Sequence, residues 1–77
     1  MEQTELNKHT VLAKQLDTHT IVERENMPGH QLVKTDAPLV DGKLIFHPVI
    51  RKGDGWHVQN AKVLIEPEKL MIIVGSL

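Results

Sequence analysis

A chain of 77 residues makes one small β-rich domain over 1–77, and nine Lys and Arg against ten Asp and Glu leave it with a formal net charge of −1. It holds no cysteine, so no disulfide staples the fold, which fits a reducing, cytoplasmic setting. Basic and acidic residues number four and six up to Pro38 and five and four thereafter, and Phe46 and Trp56 are the only aromatics. That balance argues against a nucleic-acid surface, which needs a basic face and aromatic platforms for stacked bases.

The first segment begins Met1-Glu2-Gln3-Thr4-Glu5, without the basic and apolar regions of a secretory leader. Within 5–16, Leu6, His9, Leu12, Ala13 and Leu16 recur at helical spacing and Thr4 stands where an N-cap belongs. This favours a helix over about 5–16, although His9 to Leu12 also reads as a strand. The next stretch, Thr18 to Arg24, is rich in β-branched residues and reads as a strand that pairs with Gln31–Thr35 across a Pro28-Gly29 turn.

From there the chain alternates apolar and polar residues between three turn signals: Asp41-Gly42, Gly53-Asp54-Gly55 and Pro67-Glu68. Asp-Gly suits a two-residue hairpin loop because both central positions of a type I′ turn need positive φ. With Asp54-Gly55 as the loop, Leu44 faces Ile65, Phe46 faces Val63 and Trp56 faces Gly53. With Asp41-Gly42 as the loop, Leu39 faces Leu44, Ala37 faces Phe46 and Val33 faces Ile50. With Pro67-Glu68 as the loop, Ile65 faces Leu70 and Val63 faces Ile72. All three registers place apolar residues on one face, as a half-buried sheet requires. The fold class is therefore mainly β, or α+β if 5–16 is helical. The expected architecture is a small antiparallel meander or partly open barrel, with strands near 31–40, 43–52, 57–65 and 70–75. Pro48 and, more mildly, Pro38 conflict with this pattern, because proline belongs at sheet edges or bulges.

The other face of that meander carries Ile45, His47, Val49, Val58, Asn60, Lys62, Leu64, Met71 and Ile73, too many apolar groups for a fully solvated surface. The N-terminal segment, closure into a barrel, or a second protein would cover it. The uncharged run Leu70 to Val74 is too short to span a bilayer, and on a free edge it would be an aggregation hazard, so it is expected either to be internal to the sheet or to pair with another chain in a homodimer or higher homo-oligomer.

No constellation points to catalysis, a cofactor or a metal. The histidines at 9, 19, 30, 47 and 57 lack ligand spacing, Ser76 is the only serine, and Gly53-Asp54-Gly55 opens a strand and not a helix. The chain thus reads as a non-enzymatic, protein-binding module, of the kind that serves as an inhibitor, adaptor or assembly subunit in phages and mobile elements. Its interface candidates are Trp56, Arg51, Lys52, Val49, Val58, Met71 and Ile73, since Trp and Arg dominate binding hot spots. One alternative is a small-molecule or nucleotide binder whose pocket lies between protomers, lined by Arg51, Lys52 and His57. A nucleic-acid-binding β-barrel is the second.

Overall fold

A computed structural model describes residues 10–77 as one antiparallel sheet of seven strands: β1 (Thr10–Leu12), β2 (Thr20–Arg24), β3 (Met27–Lys34), β4 (Leu44–Lys52), β5 (Gly55–Val58), β6 (Val63–Ile65) and β7 (Leu70–Ser76). The strand order is β1-β7-β2-β3-β4-β5, with β6 following β5 along the same edge of β4. The path is open and does not close into a barrel.

The helix expected over 5–16 is not formed where the chain is described. Thr10–Leu12 pairs with Leu70–Ile72, and only a single 3₁₀ turn, Ala13–Gln15, follows. Extended pairing suits Thr10 and Val11, whose β-branched side chains disfavour helix. The 3₁₀ turn still delivers Ala13 and Leu16 to the core, fully and nearly fully buried. Residues 5–9 of the expected helix lie outside the described chain.

β2 pairs with β3 as expected, but the chain reverses at Glu25-Asn26, not at Pro28-Gly29. Arg24 opposes Met27 while Glu23 opposes Gln31, so Pro28, Gly29 and His30 bulge out of β3. Proline cannot donate to the ladder, and Gly29 adopts φ +86°, so the dipeptide works as a bulge inside a strand.

The Asp41-Gly42 turn forms, with φ of +54° and +75° and reciprocal backbone hydrogen bonds between Val40 and Lys43. Its hairpin ends after that one pair. Thr35 directs both its amide and its hydroxyl to the Ile45 carbonyl, and Pro38 has no N–H to resume the ladder. Residues 35–39 therefore loop away, and Val33 opposes His47 instead of Ile50. That slip of three residues, an odd number, exchanges the faces of β3. It sends Leu32 to the Phe46 side and Val33 to the opposite one, and it leaves Leu39 and Val40 exposed.

At the next hairpin the loop is Gly53-Asp54, one position earlier than expected. Lys52 opposes Gly55 and Arg51 opposes Trp56. Only Gly53 has positive φ, +56°, the pattern of a type II′ turn with glycine first. The register moves by two residues, an even number, so every side chain keeps its face. Farther along, Leu44 opposes Ile65 and Phe46 opposes Val63, as expected. The two surplus residues are absorbed between β5 and β6, where Gln59–Lys62 leaves the ladder beside Pro48. The Pro48 carbonyl accepts from Gln59 N at 2.7 Å, so its nitrogen points to this same edge. The interruption lies where proline has no hydrogen to give.

The Pro67-Glu68 turn also forms, closed by Lys69 N donating to Glu66 O at 3.0 Å, yet β6 and β7 do not pair. The start of the chain takes the turn's carbonyls instead: Ala13 N donates to Lys69 O and Lys14 N to Pro67 O. β7 is led between β1 and β2, where it is internal. Of the two expectations for Leu70 to Val74, it is the internal one that holds here: Met71 and Ile72 have partners on both sides.

Two cores result, one on each face. On the first face Ala13, Leu16, Val22, Leu32, Phe46, Ile65 and Met71 form a buried cluster. On the second face Ile21, Val33 and Val49 pack together under Trp56.

Candidate interaction face

The second face is assembled by β2, β3, β4 and β5. Ile21 opposes Val33, Val49 opposes Val58, and Arg51 opposes Trp56. The Trp56 ring lies on Ile21, Val33 and Val49 and reaches Gly75 of β7, where an added Cβ would sit 3.8 Å from Cζ2. β5 and β7 are four strand steps apart, about 19 Å in a flat sheet at the usual interstrand spacing. Contact across that span requires the sheet to curl toward this face, the same handed twist that all sheets carry, here strongly developed. Gly75 has no side chain to hold the indole away.

Arg51 lies over the Trp56 ring, 5.0 Å from guanidinium carbon to centroid. A cation over an indole face is attracted by the ring quadrupole, by about 0.5–1 kcal/mol at exposed positions. The stacking holds two flexible side chains together in a ready-made arrangement. Beside them Val58 is 48% exposed and Leu77 is 55% exposed. Between these two residues runs a cleft of about 220 Å³, also lined by Val33, His19 and His47. The His47 ring donates through Nδ1 to the Ala61 carbonyl, which ties the residues between β5 and β6 to β4. The outer edge of β5 has no strand beside it among the described residues.

Four of the interface candidates are thus brought together: Trp56, Arg51, Val49 and Val58 share one face, with Val49 buried beneath the indole. The others go elsewhere. Met71 is fully buried and Ile73 packs against the first-face core, because β7 pairs with β2 and not with β6. Lys52 and His57 alternate with Arg51 and Trp56 along their strands and therefore project from the opposite face. The trio of Arg51, Lys52 and His57, expected to line one pocket, is split across the sheet. Sequence reasoning missed Ile21, Val33, Gly75 and Leu77. The first two depend on the odd-numbered slip of β3, and the last two depend on the placement of β7.

Among the described residues no group of three His, Cys, Asp or Glu side chains is placed to hold a metal ion, and no helix is long and apolar enough to cross a membrane. No protein-family model matches the chain, and no curated protein or solved structure matches it.

Proposed function

We propose that this chain is a non-enzymatic binding module that presents its second face, centred on Trp56, to a partner protein. The observation that carries the reading is the half-buried Trp56 with Arg51 stacked on it at 5.0 Å, beside the exposed Val58 and Leu77. A rigid aromatic anchor with a cation at its rim and apolar neighbours is the composition of binding hot spots. The outer edge of β5, which has no strand beside it among the described residues, supports a second element of the same contact, since an incoming strand could pair there next to the anchor. A module of this kind works as an inhibitor, adaptor or assembly subunit. A cysteine-free chain needs no oxidising compartment to fold, so the cytoplasm is its natural setting.

The test is capture of partners from host lysate with the wild type, Trp56→Ala and Val58→Glu. Val58 is 48% exposed, so its replacement leaves the fold intact while placing a charge in the contact. A specific partner retained by the wild type and lost by Val58→Glu supports the reading; identical capture by all three overturns it. The same free edge favours a second copy of the chain as an occupant. Sedimentation velocity over a concentration series decides this, with a concentration-dependent dimer abolished by Val58→Glu as the expected result. A monomer throughout excludes self-association.

A further inference from the structure

We infer that β5 pairs antiparallel with β5 of a second copy of this chain, about a two-fold axis at His57; this rests on the Trp56 face being a contact surface, and names its occupant and register. Hydrogen-bonded and non-hydrogen-bonded pairs alternate along an antiparallel ladder. Gln59 N donates to Pro48 O at 2.7 Å, and that bond fixes the alternation. Counting back from it, His57 and Gly55 turn their backbone groups toward β4, where they oppose Ile50 and Lys52. Trp56 and Val58 therefore aim theirs at the outer edge, beside which no strand lies among the described residues. His57 and Val58 are both exposed and project from opposite faces, so the edge is accessible from either side. Edge strands are normally blunted by proline, charge or a bulge. β5 reads Gly55-Trp56-His57-Val58 and carries none of these.

Two outward residues flanking one inward residue are self-complementary. With His57 opposite its own copy, Trp56 opposes the second copy's Val58, and Val58 opposes the second copy's Trp56. Each of these pairs exchanges both of its backbone hydrogen bonds, and the same patch serves on both chains. On the second face, Val58 is 48% exposed and receives the second copy's indole. An aromatic beside a β-branched residue is a favourable cross-strand pair. Because Arg51 opposes Trp56 and Val49 opposes Val58 within one chain, the row Arg51, Trp56, Val58, Val49 runs unbroken across the joined sheet, once in each direction. The neighbouring registers lose this match. Centring the pair on Trp56 sets Val58 against Asp54 of the loop, and centring it on Val58 sets Trp56 against Asn60.

Charge does not oppose the pairing. A net charge of −1 gives two copies little mutual repulsion. Arg51 and its copy stand three strand steps apart, about 14 Å, beyond the screening length of about 8 Å at physiological salt. Lys52, on the His57 side, opposes Gly55, which in turn meets the second copy's Gln59. A contact of one short strand is smaller than a standard interface, so the dimer is weak and depends on concentration.

The chain has no cysteine, so single cysteines report the register directly. His57 and its copy form a non-hydrogen-bonded pair, with Cα atoms about 4.5 Å apart, within disulfide range. Val58 and its copy lie diagonally, about 8 Å apart, beyond the roughly 7 Å that a disulfide spans. Both positions are exposed, so the fold tolerates either substitution. In a glutathione redox buffer, His57→Cys is expected to form a disulfide-linked dimer at protein concentrations where Val58→Cys stays monomeric. By sedimentation, His57→Lys and His57→Glu should each weaken self-association about two- to fivefold, because like charges then stand opposite, and an equal mixture of the two should recover the wild-type affinity. Equal cross-linking of the two cysteine variants, preferential cross-linking through Val58→Cys, or a wild-type monomer up to about 1 mM overturns the inference. The Trp56 face as a contact surface fails or stands separately: a lysate partner lost by Val58→Glu, from a chain that stays monomeric, keeps that surface and removes the self-pairing.

Discussion

The two faces of this sheet differ in how they are covered. The first is sealed by the chain itself: the 3₁₀ segment drops Ala13 and Leu16 onto Phe46, Val22 and Met71, and β6 adds Ile65. The second is covered by one side chain, Trp56, which spans from β5 toward Gly75 and stops short of covering Val58. A core closed by backbone elements leaves less of itself at the surface. A core closed by a single aromatic retains a rim, and in this molecule the rim holds Arg51, Val58 and Leu77. The comparison teaches that in a domain this small the incompletely covered face is the one available for a partner. The first face keeps an open cleft of about 260 Å³ where Arg24 ends β2.

The largest expected effect tests the sealed face. Phe46 is fully buried, and Phe46→Ala removes about 3–5 kcal/mol, most of what a small domain has. Urea denaturation should find this variant largely unfolded in water. Trp56→Ala is expected to lose about 2 kcal/mol, less than a fully buried aromatic would, and to remain folded while losing its partner. Equal destabilisation by the two substitutions would remove the distinction between the faces.

The turn glycines sharpen the comparison further, because they report the register that places Trp56. Gly53→Ala should cost about 1 kcal/mol, since a side chain at positive φ is strained. Gly55→Ala, where φ is not positive and nothing lies within 4 Å of an added Cβ, should be neutral or stabilise by about 0.5 kcal/mol. Thermal melts of the pair decide between the Gly53-Asp54 loop and the Asp54-Gly55 loop, for which the order would reverse. Gly75→Ala places its methyl at an ordinary contact distance from the indole and should leave Trp56 fluorescence unchanged. Gly75→Leu should displace the ring and shift its emission to longer wavelength. The smallest effect is expected from Lys14→Ala, which removes the exposed ion pair with Glu68, about 0.5 kcal/mol or less. Double-mutant cycles with Glu68→Ala measure it.

Local turn chemistry was readable because it acts within four residues. Asp41-Gly42 and Pro67-Glu68 reverse the chain where their composition says they should. Gly53-Asp54-Gly55 contains two overlapping two-residue loops, and the choice between them moved the register by an even number. For that reason the shared face of Trp56, Arg51, Val49 and Val58 survived the error. The β3–β4 register did not survive, because residues 35–39 left the ladder and the slip was odd. Arg24 was not singled out, since nothing near it in the chain announces the burial of its Nε.

The amino-acid sequence by itself determined that the chain is β-rich and antiparallel and that Trp56 belongs beside Arg51 on a hairpin. Periodicity and turn residues are local, and they bind each strand to its sequence neighbour. Tertiary structure alone decided where β7 goes. The Pro67-Glu68 turn is equally compatible with pairing back to β6 or passing on to β2, and the outcome depends on backbone groups of Ala13 and Lys14 more than fifty residues earlier. That long-range choice buried Met71 and set Gly75 beneath the indole. It also left β5 as the open edge, because hydrogen bonds between distant segments compete on equal terms and only the completed packing distinguishes them.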